Sequence, residues 1–184
     1  MLKYSDKIIV DGKKYDAVLL KAEKKDTPEL KKLYGAWLEL KNGLKNFESR
    51  APNLPEGISE GAFSLEFNCP RVLDVTGTPG SYDCYNPKTH ERIQIKATTI
   101  RYDLTSFGPD SVWDVLYLLD FYRDGKFDGK YDVYKIPNDL IYNHQISKTQ
   151  TFRDQQKQGR RPRFGIKQKI IEKHNIKPIK TCKI

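Results

Sequence analysis

The chain has 184 residues, of which 38% are hydrophobic and 31% are charged, and its formal net charge is +9. This length fits one domain with a core of its own, and no apolar run approaches the roughly 18 residues that a membrane-spanning helix requires. The N-terminus lacks the apolar centre of a secretory signal peptide, and the three cysteines, Cys69, Cys84 and Cys182, are too scattered for a disulfide framework. We therefore expect a protein of the reducing cytoplasm.

The first third of the chain, residues 1–55, is predicted to be mainly helical. Residues 13–25 mix Lys, Ala and Leu, and residues 28–50 begin with a proline, which is well placed at a helix start. Apolar residues then recur at helical spacing. They are Leu30, Leu33, Tyr34, Trp37, Leu38, Leu40 and Leu44.

A further helix is predicted from about Glu56 to Asn68, and Pro70 ends it. One side of this helix is apolar, whereas Glu60 lies on a neighbouring row. Glu60 can therefore lie at the border between core and solvent.

The middle of the chain changes to the two-residue period of strands. A turn is predicted at residues 77–80, a short strand at 81–85 and a hairpin loop at 86–91. Residues 92–98 then alternate cleanly. We expect Ile93, Ile95 and Ala97 to point one way and Gln94, Lys96 and Thr98 the other.

Residues 112–122 are strongly apolar and fit either a buried strand or a buried helix; we favour a central strand. A turn at 124–129 and a partner strand at 131–136 follow. Residues 165–175 carry isoleucines at helical spacing. The predicted fold class is α/β (α+β), a mixed sheet flanked by helices.

The positive charge is concentrated in the last quarter of the chain. Residues 140–184 contain twelve Lys and Arg but only two acids, whereas residues 1–139 are nearly balanced. A local positive field of this kind suits a polyanion such as nucleic acid. A solvated basic tail is the alternative, and composition does not separate the two.

Common catalytic motifs are missing from the sequence. There is no CxxC pair and no HExxH motif, so a standard zinc site is not expected. No Gly-rich loop ends in Gly-Lys-Ser/Thr, which argues against a nucleoside triphosphate site. His144 follows Asn143, but this pair does not by itself make an HNH nuclease motif.

Asp83, Gln94 and Lys96, with Glu60 upstream, form the one set of residues with a clear chemical use. A hairpin can bring Asp83 close to the face of Gln94 and Lys96. Phosphodiester hydrolysis needs a hard cation held by oxygen ligands. Asp83, the Ile95 carbonyl and Glu60 could supply such ligands. Lys96 could position or deprotonate the water, or neutralise the developing phosphorane charge.

The same residues also have an ordinary structural interpretation. Gln and Lys alternating with Ile occur on any half-exposed strand, and an aspartate near a turn is common. Spacing alone therefore leaves both interpretations open.

Several segments together resemble a known family. They are Ile58-Ser59-Glu60-Gly61, Gly80-Ser81-Tyr82-Asp83-Cys84-Tyr85, Glu91-Arg92-Ile93-Gln94-Ile95-Lys96-Ala97, Thr105-Ser106-Phe107-Gly108-Pro109 and Trp113-Asp114. The set, which spans roughly residues 55–165, resembles small type II restriction endonucleases, the group that includes Bsp-type cutters of interrupted GC-rich palindromes. Asp83, ten residues and then Gln94-Ile95-Lys96 look like the PD-(D/E)xK signature, with Gln in place of the second acid.

The resemblance implies a restriction-endonuclease-like core, dependence on Mg²⁺, double-stranded DNA as substrate and products with 5′-phosphates. The sequence departs from the pattern in two places. Tyr82 stands where the signature has proline, and the neutral Gln94 removes one anionic ligand. These departures put weight on Glu60 as a second carboxylate, with Glu56 and Glu66 as rivals for that role.

Residues 143–165 mix Arg and Lys with Gln, Asn, Ser and Thr. Arg and Lys bind phosphates, Arg can also bond guanine, and Gln or Asn can bond adenine. A polar flexible segment remains the alternative. The residues that we expect to contact DNA are Arg153, Gln155, Gln156, Arg160, Arg161 and Arg163.

The favoured function is a type II restriction endonuclease that hydrolyses double-stranded DNA at a short palindromic site. Residues 1–184 are then one nuclease domain, with a helical part (1–55), a catalytic core (56–137) and a basic DNA-contacting part (138–184). Cutting both strands of a palindrome favours a homodimer, and a cognate DNA methyltransferase is expected in the same system. A structure-specific or repair nuclease on the same core and a non-catalytic DNA-binding protein are the alternatives.

Overall fold

The computed structural model describes residues 1–77 and 80–184. The strands are β1 (Leu2–Val10), β2 (Lys13–Lys21), β3 (Arg71–Val75), β4 (Cys84–Tyr85), β5 (Arg92–Thr98), β6 (Thr105–Ser106), β7 (Val115–Asp120), β8 (Lys130–Ile136), β9 (Arg163–Phe164) and β10 (Lys180–Lys183). The helices are α1 (Thr27–Lys45), α2 (Glu56–Phe67), α3 (Asn138–Tyr142), α4 (Phe152–Lys157) and a π-helix (Lys167–Glu172).

One mixed sheet organises the chain, and its strand order is β1-β2-β3-β4-β5-β7-β8-β10. Strands β5 and β7 run parallel, and each of the other neighbouring pairs is antiparallel. A separate two-stranded sheet pairs β6 with β9. The predicted mixed α+β architecture is therefore confirmed.

Apolar side chains cover both faces of the central strands. Leu118 and Leu119 are neighbours on β7, yet they belong to two different cores because successive strand residues point to opposite faces. The first core contains residues from α1 and α2 together with Ile93 and Ile95, as the alternation predicted. The second core contains Ile141 of α3, residues of α4 and the π-helix. Strand β7 thus lies between two apolar layers, whereas β5 contributes apolar side chains to the first core and keeps Gln94 and Lys96 on its other face.

The helical prediction for residues 13–25 is wrong, because residues 2–21 form the β1–β2 hairpin. Its turn is Asp11-Gly12, where both residues have positive φ (50° and 76°). Asp-Gly is a strong signal for this tight turn. Alternating residues of both strands, including Ile8 and Leu19, are buried against Tyr85. The part at 1–55 is therefore a hairpin followed by one long helix.

Most of the other predicted helices and strands are present, but one strand is shorter than expected and two strands were not predicted. Helices α1 and α2, strands β5, β7 and β8, and the loop at 86–91 agree with the expected elements. The predicted strand at 81–85 is shorter, with β4 at its end and Ser81 in an isolated bridge to Ser111. The sequence did not predict β3 or β10. Part of the predicted turn at 77–80, residues 78 and 79, lies outside the described residues.

Two further observations concern the cysteines and the helices. Cys69, Cys84 and Cys182 are free and buried. Within the described parts of the chain, no helix combines the length and the apolar character that crossing a bilayer requires.

Candidate active site

Asp83 lies between two strands and is held by its backbone on both sides. Its carbonyl accepts a hydrogen bond from the Val72 amide, and its own amide donates to the Ile93 carbonyl, each at 2.9 Å. Hydrogen bonds on both sides fix the direction of its side chain. The carboxylate oxygen Oδ2 then accepts the Ile95 amide (2.6 Å) and the side-chain amide of Gln94. The hairpin therefore brings Asp83 to Gln94 and Ile95, as the spacing predicted.

Gln94 is almost fully buried, with 3% of its surface exposed. Its Nε2 donates to Asp83 Oδ2. An ionised glutamate at this position could not donate that bond. In this structure Gln94 therefore serves as a hydrogen-bond donor to Asp83. The Gln94 side chain and the Ile95 amide both donate to the same oxygen, Oδ2. Among the described residues, no hydrogen bond engages Asp83 Oδ1.

Helix α2 presents Glu60 to the same place. Glu60 is 8% exposed, and its Oε2 accepts a hydrogen bond from Arg71 Nε at 2.6 Å. Its two rivals differ from it in position. Glu56 is exposed at the start of α2, whereas Glu66 forms an ion pair with Lys180 of β10. Of the three glutamates, the buried Glu60 therefore fits best as the second metal-binding carboxylate. Glu56 is the alternative.

A cleft of about 440 Å³ opens around the end of β5. It is lined by Glu60, Asp83, Ile95 and Lys96, so four of the residues predicted from the sequence share one cavity. Lys96 is half-buried, and its Nζ lies 5.2 Å from the centroid of the Phe107 ring. An ammonium group beside two carboxylates in a cleft is suited to holding a phosphate or a water molecule.

The pKa values of the two carboxyl groups in this cleft, Glu60 and Asp83, are both raised. Burial and the nearby Asp83 raise the pKa of Glu60 to about 7, although Arg71 acts to lower it. The pKa of Asp83 is also raised, mainly by burial, although Lys96 and the Ile95 amide act to lower it. Two buried carboxyl groups that resist losing their protons are stabilised in the ionised form by a nearby cation.

The donor set fits a hard cation that keeps part of its hydration shell. Asp83, Glu60 and the Ile95 carbonyl offer oxygen, and Mg²⁺ commonly binds one or two carboxylates with waters and substrate phosphates. No group of three or more His, Cys, Asp or Glu that could hold a metal occurs among the described residues. A dedicated all-protein cage is therefore not formed here, whereas a Mg²⁺ site completed by water and phosphate is compatible with the geometry.

The structure also identifies cleft residues that sequence reasoning missed. Arg50 and Asp103 line the cleft, and Arg71 holds Glu60. Burial raises the pKa of Asp103, with Arg50 acting in the opposite direction. Arg50 follows α1 and Asp103 follows β5, so no short motif joins them. Only the tertiary fold brings these residues together.

The predicted DNA contacts fall into two groups. Arg153, Arg160, Arg161 and Arg163 are exposed. Arg160 donates a hydrogen bond to Gln150 at 3.1 Å, and the guanidinium carbon of Arg153 lies 5.0 Å from the centroid of the Tyr142 ring. The two glutamines are partly buried and engaged with the protein. Gln156 Nε2 donates to two backbone carbonyls of the loop after β6, and Gln155 Nε2 donates to a neighbouring glutamine at 3.4 Å. In this structure Gln156 therefore anchors α4 to that loop.

The basic segment reaches the cleft through the small sheet. Arg163 of β9 pairs with Ser106 of β6, and Ser106 lines the cleft. The Phe107 amide donates to the Pro162 carbonyl at 3.1 Å. The chain around Arg161 and Arg163 is thus fixed beside the cavity that contains Asp83.

Comparison with known proteins identifies the family of this chain. Residues 22–173 match the family described as "Bsp6I restriction endonuclease". The chain is similar to a protein of Bacillus sp. (strain RFL6) described as "Type II restriction enzyme Bsp6I". The two are 38% identical over 167 residues, which covers 87% of this chain and 89% of that protein. No solved structure matches the chain. From the family match and this relative, the chain belongs to the Bsp6I restriction endonuclease family.

Proposed function

We propose that this protein is a type II restriction endonuclease that hydrolyses phosphodiester bonds in double-stranded DNA at a short palindromic site, with Mg²⁺ as cofactor. The observation that carries the proposal is the cleft in which Asp83, Glu60 and Lys96 meet. Membership of the restriction endonuclease family supports a site-specific nuclease. The resemblance to the PD-(D/E)xK signature supports the assignment of these residues to the catalytic site.

Each residue has a distinct part in the proposed reaction. Asp83, Glu60 and the Ile95 carbonyl would hold the cation, and Gln94 keeps the Asp83 carboxylate in place through its amide. Bound Mg²⁺ supplies Lewis-acid polarisation of the phosphoryl oxygen and lowers the pKa of a water ligand. Lys96 either positions the attacking water or, as the neutral amine, accepts its proton; alternatively, as the ammonium group, it neutralises the negative charge that develops on the phosphoryl group.

The substrate and the assembly follow from the same proposal. The exposed arginines of the basic segment bind the phosphates of duplex DNA, and some of them reach base edges. A palindromic site is cut on both strands by a homodimer with one cleft in each subunit. The enzyme works in the cytoplasm beside a cognate DNA methyltransferase that protects the host sites.

The test is digestion of unmethylated plasmid DNA by the purified chain, with Mg²⁺ and with EDTA. We expect discrete bands only with Mg²⁺, and sequencing their ends gives the recognition site. Asp83→Ala should abolish the bands, whereas Asp74→Ala, an exposed acid on β3, should leave them unchanged.

Other outcomes would redirect the assignment. A smear would indicate a structure-directed nuclease on the same core. Intact DNA that is nevertheless retarded on a gel would indicate a DNA-binding protein without activity. Full cutting by the Asp83→Ala variant would show that the catalytic carboxylate lies elsewhere.

A further inference from the structure

The segment between β5 and β6, residues 99–104, exposes an unusual amount of apolar surface. Tyr102 is 69% exposed, Leu104 is 62% exposed and Ile100 is 43% exposed. The guanidinium carbon of Arg101 lies 5.4 Å from the centroid of the Tyr102 ring. Exposed apolar side chains that cluster beside a functional cavity are typical of a contact surface.

This segment leads directly out of the catalytic strand. Lys96 lies on β5, and the chain then continues into Thr99, Ile100, Asp103 and Leu104, which line the cleft that contains Asp83. A phosphate seated against Lys96 would therefore have a flanking nucleotide near Ile100 and Leu104, and Tyr102 lies between these two residues in the chain.

The other side of the segment adjoins the basic part of the chain. Gly165 lies so close to it that a Cβ at this position would be 2.8 Å from the Asp103 carbonyl oxygen. Just before Gly165, Arg163 pairs with Ser106 of β6. The exposed apolar side chains thus stand between the catalytic cleft and exposed arginines, which is the surface a nucleic acid would cover.

We propose that residues 99–104 form a wedge that contacts the bases next to the scissile phosphate, with Tyr102 and Leu104 inserted at a base-pair step and Arg101 on a flanking phosphate. Proteins that kink DNA commonly insert apolar side chains between base steps, and aromatic rings stack on bases regardless of sequence. The inference rests on the proposed nuclease function and adds a means of distorting the DNA at the cut.

A second apolar surface on the molecule lacks these features. Leu33 and Leu40 are exposed on α1, seven residues apart on one face of the helix. Neither residue lines the catalytic cleft described above. Charge complementarity and continuity with the cleft therefore favour DNA as the occupant of the 99–104 wedge.

The test uses a duplex that carries the recognition site mapped from plasmid digestion. We expect Tyr102→Ala and Leu104→Ala each to reduce cleavage or affinity by about tenfold to a hundredfold, the range for removing one stacked base from its platform. Tyr102→Phe keeps the ring and should retain function. Leu73→Ala is the control, because Leu73 is 43% exposed on β3, outside both the cleft and the basic segment.

A second readout reports base unstacking directly. With 2-aminopurine at the step beside the cut, fluorescence should rise on binding of the wild type and of Tyr102→Phe, but not of Tyr102→Ala. A duplex with a mismatch at that step should partly rescue Tyr102→Ala, since less stacking remains to be broken.

The outcomes separate this inference from the proposed function. A wild type that cuts, together with alanine variants that match the Leu73→Ala control in affinity, cleavage and fluorescence, would overturn the wedge alone. Alanine variants that bind DNA normally but sediment as monomers where the wild type is a dimer would make the patch a subunit interface and also overturn it. A wild type that never cuts or binds DNA would remove both proposals.

Discussion

Replacing Glu60 with glutamine tests whether the catalytic cleft costs stability in the absence of metal. Glutamine has the shape of the protonated glutamate and can still accept a hydrogen bond from Arg71. Burial and the proximity of Asp83 raise the pKa of Glu60 from its ordinary 4.5 to about 7. The ionised side chain is therefore a source of instability that glutamine does not have.

The magnitude follows from proton linkage. A folded-state pKa above the unfolded value means that the native state binds more protons between the two values, so stability falls as the pH rises through that window. For Glu60 the window runs from 4.5 to about 7. At about 1.4 kcal/mol for each pKa unit, the wild type should lose about 3 kcal/mol relative to Glu60→Gln across it.

The assay is urea unfolding in EDTA at about pH 4 and about pH 8, where the linkage effect is respectively absent and complete. The Glu60→Gln variant should match the wild type at the lower pH and exceed it at the higher pH. Glu39→Gln, on the exposed face of α1, serves as the matched control. A difference between wild type and Glu60→Gln that does not change with pH would refute the reasoning. Added Mg²⁺ should recover stability in the wild type more than in the variant.

Three further variants test the site and the DNA-binding segment. Lys96→Ala should slow single-turnover cleavage by about 10²–10⁴-fold with affinity for DNA retained, and rapid cutting would remove Lys96 from the mechanism. Arg160→Ala combined with Arg161→Ala should weaken binding and reduce the salt slope by about 0.9 for each phosphate that is no longer neutralised; an unchanged slope would exclude this segment. Gln94→Glu should retain cleavage, but it should lower stability in EDTA by about 1–3 kcal/mol because Asp83 no longer receives an amide donor from this side chain. Equal unfolding midpoints would show that this hydrogen bond is dispensable.

The sequence predicts the part of the site that one hairpin forms, in which β4 and β5 bring Asp83 close to Gln94 and Lys96. The two-residue period of β5 places Gln94 and Lys96 on one face, and a hairpin loop of definite length returns the chain to Asp83. Both signals come from fewer than twenty consecutive residues. Such local patterns can be recognised without knowledge of the fold.

The missing parts depend on contacts between distant segments. Arg71 holds Glu60 because β3 enters the sheet beside β4, and the short apolar pattern of β3 gave no reason to predict a strand there. The N-terminal hairpin was mistaken for a helix because the Lys, Ala and Leu of residues 13–25 are also good helix formers. Its register is fixed instead by the Asp11-Gly12 turn and by burial against Tyr85. Tertiary packing there outweighs helix propensity.

A comparison of the buried acids shows why the cleft differs from the structural ion pairs. Asp120, at 1% exposure, accepts the Tyr122 and Arg123 amides and pairs with Lys167. Its charge is matched within the fold, as stability requires of a buried carboxylate. Glu60 also has an arginine partner, yet its pKa is raised, first by burial and then by the charge of Asp83 in the same cleft. Placing a second buried carboxylate beside the first adds electrostatic repulsion, and it gives the fold no stabilisation that a single carboxylate could not give. We propose that the carboxylate pair is kept for a ligand, a hard cation that joins Lys96 and Arg71 in offsetting its negative charge.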